Sequence, residues 1–337
     1  MSWGAIVGQP LAVRLLRQAV SGGKVAHAYL FVGPAGVGKR TVALELAKSL
    51  NCMVPLADGG ACDSCVSCRK ISADPITHPD VRVISPEGRF IKTDQIRELQ
   101  EEMYARPNEG RMRVAIIDGA DRMNPESANR LLKLLEEPPG YAVLILLTHN
   151  LSGVLPTLIS RCQVVNFPPL NPEDVAGVLR ERFGLDAGQA RLYSALSGGS
   201  IGRAVALSQD AGVAARRDHS CDLLQKLAGM DDLALIGQAE LLDKEREHLD
   251  DWLDLTTAWL RDALIVAQTG SDQLAMNTDR MDVVRSLAGG LGAVNILNML
   301  TAITEVRSNL QRNANSRLAL DVLMLRLGEC SRCHLQT

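Results

Sequence analysis

The chain has 337 residues, of which 46% are hydrophobic and 22% charged, a balance that excludes extensive disorder and predicts two or three globular domains. Aromatic residues contribute only 3%, so the cores must consist mainly of Leu, Ile, Val and Ala, which favours helix-rich layers over a β-sandwich. The net charge of −3, from 36 basic and 39 acidic side chains, excludes a chain-wide field that would attract nucleic acid.

Neither a membrane segment nor an export signal is predicted. The sequence contains no apolar run near the roughly 18 to 20 residues that span a bilayer. Residues 1–10 lack a basic stretch followed by an apolar one. We therefore expect a cytoplasmic protein without membrane contact, in a reducing compartment where clustered cysteines indicate metal binding more than disulfides.

The first half of the chain predicts an α/β domain, because short apolar runs alternate with helical patterns as in a parallel sheet. The five runs that predict strands are Tyr29–Val32, Val81–Ile84, Val114–Ile117, Val143–Leu147 and Val164–Phe167. Between the third and fourth runs, Asn124 is a good N-cap, Pro125 suits the first helical position, and Pro138 marks the end. The apolar face of that helix would comprise Ala128, Leu131, Leu132 and Leu135.

A phosphate-binding loop is predicted directly after the first strand, in Gly33–Lys39. Glycines there allow backbone N–H groups to close around phosphate oxygens at the N-terminus of the next helix. The residues that carry this role are Gly33, Gly36, Gly38 and Lys39. Strand, loop and helix follow in the required order, so the motif is a specific indicator of the fold.

The same loop carries a defect at Arg40, where a working loop has a Ser or Thr whose hydroxyl ligates Mg²⁺. Thr41 is one position late, and one residue is a rotation of about 100° on a helix, so its hydroxyl should point away from the metal. The sequence therefore predicts that Mg²⁺ is not handled productively. Weak binding of ATP or ADP, with Arg40 neutralising phosphate charge, stays open.

Four cysteines fall within seventeen residues after the helix of this loop: Cys52, Cys62, Cys65 and Cys68. Four thiolates suit tetrahedral Zn²⁺, and two-residue gaps let one knuckle present several sulfurs, so a closed structural zinc site is predicted. Free thiols and an iron–sulfur cluster are the alternatives, although the familiar cluster run continues to Cys-Pro. Cys330, Cys333 and His334 also resemble ligands, or a frayed chain end.

A second defect lies at the end of the third strand, where Asp118 is followed by Gly119. An apolar strand ending in Asp is typical of a Walker B element, in which the Asp lies near the metal and the next residue is usually the Glu that polarises the attacking water. Alternatively, Asp118 only caps the strand end. In either case the expected general base is missing, and two losses at one site predict no hydrolysis.

After about residue 170 only helical patterns remain. Asn171 and Pro172 start one helix, Gly199 ends a second and Ser200 caps a third. These signals predict a three-helix lid over 169–210.

A further, all-helical domain is predicted over 211–337, so that the first domain covers 1–168. Trp252 and Trp259 are seven residues apart and share one helix face. The closing apolar run consists of Leu318, Leu320, Val322, Leu323 and Leu325.

Several motifs together resemble the AAA+ subunits of bacterial DNA polymerase III clamp loaders. In the order of that family, they are His27–Phe31, the altered phosphate-binding loop, Leu131–Pro139, Ser160–Cys162 and Asn313–Leu320. They span almost the whole chain. Within the family, the loss of both the loop hydroxyl and the Walker B Glu resembles delta-prime subunits and not the ATP-hydrolysing gamma/tau subunits.

The resemblance implies a RecA-like AAA+ domain, a three-helix lid and a helical collar through which five subunits form a ring. The implied partners are gamma/tau and delta subunits, the sliding clamp, and primer–template DNA reached through the complex. The resemblance also agrees with zinc at the four cysteines.

Three side chains acquire roles from the same resemblance. Arg161 lies where relatives place an arginine finger that acts in trans on the next subunit's nucleotide, with a surface ion pair as the alternative. His149 lies at the sensor 1 position, or is a solvated loop residue. Arg203 lies at the sensor 2 position, and a cation at the start of a helix opposes the helix dipole, which argues against a helix-stabilising role.

Two classes of function follow from the sequence. The preferred one is a non-hydrolysing structural and regulatory subunit that helps load the sliding clamp. The alternative is an active AAA+ ATPase, either a gamma/tau-type subunit or a DNA-repair motor. No set of residues resembles the metal-binding carboxylates of a polymerase palm, so a DNA-directed DNA polymerase (nucleotidyltransferase) activity would belong to the holoenzyme.

Overall fold

The computed structural model describes residues 3–88, 90–311 and 314–332. The chain forms two compact units, which we call the sheet unit and the helical unit. The sheet unit comprises Met1–Val175 and Gly198–Arg203, and the helical unit comprises Ala176–Ser197 and Ala204–Thr337. The division into three domains, after residues 168 and 210, stays a prediction.

The sheet unit is built on five parallel strands, which confirms the strands predicted from the apolar runs. They are β1 Ala28–Val32, β2 Val81–Ile84, β3 Arg113–Asp118, β4 Ala142–Thr148 and β5 Gln163–Asn166. The order in the sheet is β2-β3-β4-β1-β5. Strand β1 therefore lies between two neighbours, and Leu30 pairs with Leu146 on one side and Val164 on the other.

Helices connect the strands, as parallel pairing requires. In the sheet unit they are α1 Pro10–Ser21, α2 Lys39–Asn51, α3 Val66–Ser72, α4 Thr93–Tyr104, α5 Pro125–Glu136 and α6 Pro156–Ile159. Leu99 of α4 and Leu131 of α5 are buried in one cluster with Leu30 and Ile117 of the sheet. Burial of a leucine side chain stabilises the fold by about 1.5–3 kcal/mol, so this cluster holds the strand ends in place.

Helix α5 begins as its sequence predicts, but its buried face differs from the predicted one at one position. Asn124 Oδ1 accepts a hydrogen bond of 2.8 Å from the Ser127 N–H, and Pro125 occupies the first helical position. Both predicted start signals are confirmed. The predicted Leu132 is only half-buried, whereas Leu134 is buried, because positions three and four residues apart share the face that meets the sheet.

The chain continues through helices alone, in agreement with the sequence patterns after residue 170. They are α7 Pro172–Phe183, α8 Ala187–Leu196, α9 Ile201–Gln209, α10 Val213–Lys226, α11 Asp232–Lys244, α12 Leu249–Thr269, α13 Met281–Leu291, α14 Ala293–Gln311 and α15 Ser316–Arg332. Trp252 and Trp259 of α12 are both buried in the main core of the helical unit. Their predicted shared face is therefore confirmed.

The closing apolar run does not form a single buried face. Leu320 and Leu323 of α15 are fully buried, whereas Leu318 is 64% and Val322 41% exposed. Positions 318 and 322 are four residues apart and share one side of the helix, so they lie together away from the core.

Across the described part of the chain, no single helix is long and apolar enough to cross a membrane. The segments Thr278–Leu291 and Ala293–Leu310 reach that length and composition only as a pair, with a bend of 101° between them.

Candidate nucleotide site and cysteine cluster

The phosphate-binding loop joins β1 to α2, as the sequence predicts. Gly36 and Gly38 adopt φ angles of +73° and +100°, which are strained for any residue with a Cβ. Gly33 is required for a different reason, because a Cβ there would lie 2.1 Å from the carbonyl oxygen of Phe167. The three glycines therefore fix the path of the loop.

The first turn of α9 packs directly on this loop. The Gly202 N–H donates a hydrogen bond of 3.0 Å to the Gly36 carbonyl oxygen, and a Cβ on Gly36 would lie 2.3 Å from Ser200 Oγ. From the other side, the buried Gln9 amide donates to the carbonyl oxygens of Pro168 and Val37, at 2.9 and 3.3 Å. The loop is thus held in one conformation by the protein itself.

Lys39 is buried and folds back on the loop. Its Nζ donates to the carbonyl oxygens of Gly33 at 2.5 Å and Pro34 at 2.7 Å. Burial lowers the pKa of this ammonium group, and the carboxylates of Asp118 and Asp121 partly oppose that shift. The ammonium group of Lys39, which the sequence predicts to bind phosphate, therefore lies within the loop and is hydrogen-bonded to backbone carbonyl oxygens.

Arg40, the first sequence defect, lies next to the aspartate that precedes the second. The Arg40 guanidinium lies 3.8 Å from the Asp118 carboxylate, and both side chains are partly exposed. Thr41 is exposed at the start of α2. An arginine therefore stands beside the carboxylate that would contact a metal in a working site.

Gly119 does more than remove the expected glutamate side chain, because its backbone conformation favours glycine. Its φ is +87°, and a Cβ there would lie 3.3 Å from Pro86 Cγ. Its N–H donates a hydrogen bond of 3.0 Å to Leu147 O, which fixes the turn after β3. The sequence predicts the missing glutamate but not this conformation, for which the only signal is glycine directly after a strand.

The end of β4 brings His149 to Asp121, a residue that sequence reasoning did not single out. His149 Nδ1 lies 3.3 Å from Asp121 Oδ2, and Thr148 Oγ1 donates a hydrogen bond of 2.7 Å to Asp121 Oδ1. Arg203 lies in the first turn of α9, where its N–H donates to Ser200 Oγ at 3.1 Å. The loop, Asp118, His149 and Arg203 thus all belong to the sheet unit.

Arg161 follows α6 and precedes β5. Its guanidinium forms an ion pair of 2.7 Å with Glu136 at the end of α5 and donates a 3.0 Å hydrogen bond to the Thr157 carbonyl oxygen. The two charged side chains are 36% and 52% exposed. Burial raises the pKa of the neighbouring Cys162 thiol to about 12, so Cys162 adds no charge to the Arg161–Glu136 pair at this surface.

The four clustered cysteines come together in space. Cys52 follows the end of α2, while Cys65 and Cys68 flank the start of α3, and the four sulfurs all lie within 4.8 Å of one another. Three sulfurs accept backbone hydrogen bonds of 3.3–3.4 Å, from the N–H groups of Cys62, Cys65 and Cys68.

This arrangement suits a tetrahedral metal. Zn–S bonds of about 2.3 Å place the sulfurs about 3.8 Å apart, within the observed limit. Hydrogen bonds from the Ser64 side chain and the Cys65 N–H lower the pKa of the Cys62 thiol to about 6, whereas burial raises the pKa of the Cys68 thiol. Cys330 is half-buried in α15, and Cys333 and His334 lie outside the described residues.

The chain matches two families of known proteins. The family described as "DNA polymerase III, delta subunit" matches residues 8–171, and "DNA polymerase III, delta subunit, C terminal" matches residues 214–329. The chain is 32% identical over 326 residues to DNA polymerase III subunit delta′ of Bacillus subtilis (strain 168), covering 95% of this chain and 96% of that protein.

Two shorter similarities point the same way. DNA polymerase III subunit delta′ of Pseudomonas aeruginosa PAO1 is 45% identical over 139 residues, 41% of this chain and 42% of that protein. DNA polymerase III subunit gamma/tau of Mycobacterium tuberculosis H37Rv is 37% identical over 180 residues, 53% of this chain and 30% of that protein. Of these three relatives, the Bacillus protein matches over nearly the full length of both chains. That match shows that this chain belongs to the delta-prime family of bacterial DNA polymerase III clamp-loader subunits.

Proposed function

We propose that this chain is a non-hydrolysing subunit of the clamp loader, which supplies an arginine to the ATPase site of a neighbouring subunit. The observation that carries the first half is the pair of Arg40 and Asp118, 3.8 Å apart. In a working site, Mg²⁺ bridges the phosphates between a loop hydroxyl and this carboxylate. A permanent positive charge beside the carboxylate opposes that ion electrostatically and provides no oxygen ligand.

The environment of Gly119 supports the same conclusion. No carboxylate follows Asp118, and the left-handed turn at this position disfavours any side chain. The general base that would activate the attacking water is therefore missing, and this loss is independent of the defect in metal binding.

Arg161 supports the second half of the proposal. A guanidinium is permanently charged and planar, so it can stabilise the charge that develops on a transferring γ-phosphoryl group. It lies at a partly exposed position with a single-carboxylate partner, Glu136. Such an exposed pair contributes about 0–1 kcal/mol, a cost that a phosphate from another subunit readily offsets.

We further propose that the chain acts in the cytoplasm in a five-membered ring with gamma/tau and delta subunits, and through it meets the sliding clamp and primer–template DNA. The AAA+ domain, lid and collar would correspond to 1–168, 169–210 and 211–337. Structural zinc, held by the four clustered cysteines, would stabilise the insertion after α2.

The test is ATP turnover by the isolated chain, with a gamma/tau-type ATPase as the positive control. We expect hydrolysis at background rate with Mg²⁺ present, because metal placement and water activation both fail. The similarity to gamma/tau over 180 residues makes an active AAA+ ATPase the second candidate. Robust turnover by the unmodified chain would favour that candidate and overturn ours.

A further inference from the structure

A buried lysine links the helix of the phosphate-binding loop to the cysteine cluster. Lys48 lies in α2, four residues and thus about one turn before Cys52. Its Nζ lies 2.5 Å from Asp63 Oδ1 and 2.7 Å from Glu45 Oε2, and the Lys48 and Glu45 side chains are only 5% and 2% exposed. A lysine this deeply buried is rare without charged partners, so the pairing fixes its position.

Asp63, the second acidic partner of Lys48, lies between Cys62 and Cys65 in the sequence. It directly follows Cys62 and has a φ of +57°, and among the described residues no other non-glycine residue has a positive φ. Aspartate tolerates this left-handed conformation better than most residues, but still at a cost. A contact that holds Asp63 therefore also holds the turn that aims Cys62.

The lysine contact and the sulfur contact run side by side between the same two segments. Lys48 binds Asp63, and one turn later Cys52 Sγ accepts the Cys62 N–H at 3.3 Å. The connecting stretch 53–61 exposes Met53, Val54 and Leu56, so its burial offsets only part of the entropy of closing the loop. Within it, Asp58 forms an exposed ion pair with Arg17, which contributes about 0–1 kcal/mol. The buried contacts at its two ends therefore contribute strongly to closure.

We propose that Lys48 is a positioning residue for the cysteine cluster: by holding Asp63 against α2, it preorganises the Cys62–Cys65 turn to receive a tetrahedral metal ion. This inference rests on the zinc site proposed above. Residues that orient metal ligands typically change metal affinity by 10- to 100-fold when they are altered. We expect most of that change in the rate at which zinc leaves, because the ordered turn opposes release of the first sulfur.

The test is zinc transfer from the full chain to the chromogenic chelator 4-(2-pyridylazo)resorcinol. Asp63→Asn removes the charge, keeps a residue that tolerates positive φ, and leaves the Lys48–Glu45 pair intact. Zinc release should be about 10- to 100-fold faster than from the unmodified chain. Glu109→Gln is the matched control, since it breaks the exposed 2.6 Å pair with Lys70 and should leave the release rate unchanged.

A second variant tests the lysine itself. Lys48→Met combined with Glu45→Gln removes the ammonium without leaving a buried carboxylate uncompensated. It should speed zinc release as Asp63→Asn does, and adding Asp63→Asn should have little further effect, since coupled residues are not additive. In metal-free protein, both variants should also be cut faster by protease within 53–61.

The outcomes separate the positioning role from the metal site. In one outcome, the unmodified chain contains a full equivalent of zinc, and Asp63→Asn releases zinc at the same rate as the unmodified chain. This outcome would overturn the role of Lys48 but not the zinc site. An unmodified chain that binds no zinc would overturn both.

Discussion

Arg40 affects chemistry far more than stability. Its pairing with Asp118 is partly exposed and lies at 3.8 Å, so it contributes about 0–1 kcal/mol to folding. Mg²⁺ requires near-octahedral oxygen ligands at about 2.0–2.1 Å, and a guanidinium offers only donors. Under the proposed function, arginine in place of the loop hydroxyl therefore removes a metal ligand and pairs with Asp118 without disturbing α2.

Restoring the missing glutamate should damage the fold before it restores activity. Gly119→Glu places a side chain at φ +87° and next to Pro86, so we expect the free energy of unfolding to fall by about 1–3 kcal/mol in chemical denaturation. The double variant Arg40→Thr with Gly119→Glu should then still hydrolyse ATP at background rate, for lack of a well-placed base and of a neighbour's arginine.

The matched control for that strain is Gly140→Glu. Gly140 has open space around the position of a Cβ and no positive φ. The free energy of unfolding of the Gly140→Glu variant should therefore remain within about 0.5 kcal/mol of the unmodified value. Equal stability of the two glutamate variants would contradict the strain argument.

In the proposed trans role, Glu136 competes with a neighbour's phosphate for Arg161. If the arginine must leave its 2.7 Å pair to contact a neighbour's phosphate, Glu136→Gln removes the competing carboxylate. The pair contributes at most about 1 kcal/mol, so hydrolysis at the adjoining site of a reconstituted complex should rise by no more than about fivefold. The adjacent Glu137→Gln serves as control, and a fall in hydrolysis with Glu136→Gln would show that Glu136 orients Arg161.

At the scale of elements, α2 carries both candidate sites. Its first turn follows the phosphate-binding loop, and its last residue precedes Cys52. Asn51 at that end is buried and accepts hydrogen bonds of 2.9 Å from the N–H groups of Arg111 and Met112 before β3. Within the sheet unit, the cysteine cluster is therefore attached to the segment before β3 through a fixed helix end.

Metal removal should loosen the insertion and spare the sheet. We expect about one Zn²⁺ per chain by metal analysis, and loss of that ion in Cys65→Ser because three thiolates leave the tetrahedral site open. Far-ultraviolet circular dichroism should change little, while protease cuts within 53–61. Cys330→Ser is the control and should retain zinc. Protein prepared without chelator that lacks zinc, or that holds iron with visible charge-transfer absorption, would contradict the assignment.

The elements that the sequence predicted depend on local signals. Alternating apolar runs gave the five strands, and the Asn124 cap with Pro125 gave the start of α5. The contacts that escaped prediction join residues far apart in sequence: Thr148 with Asp121, Arg161 with Glu136, and Lys48 with Asp63. No spacing rule connects such pairs, because the sheet order and the loop paths bring them together.

For the whole molecule, the proposed role requires assembly, since it places the hydrolysed nucleotide on a neighbouring subunit. The helical unit offers a surface for it, because Leu318 and Val322 lie exposed one turn apart on α15. Exposed apolar residues scattered singly are common on monomers, so this surface supports assembly only together with the family to which the chain belongs.

The decisive prediction for the assembled ring concerns Arg161. In a reconstituted clamp loader, Arg161→Ala should leave folding, zinc content and ring assembly intact and lower ATP hydrolysis at the one adjoining site. Arginine fingers contribute on the order of 10³ to 10⁵ in rate, so even a tenth of that effect is measurable. Arg161→Lys should restore little activity, because a point charge lacks the planar fork of a guanidinium.

The control for Arg161→Ala is Arg97→Ala on α4, which breaks an exposed ion pair of 3.2 Å with Asp94 and should leave hydrolysis unchanged. The measurements are clamp loading and DNA-stimulated ATP hydrolysis in complexes that differ only in this chain. If Arg161 served only its pair with Glu136, both variants would behave alike, because each loses about 0–1 kcal/mol of surface electrostatics. Rates equal to those of the unmodified complex in both assays would show that Arg161 does not complete a neighbour's site.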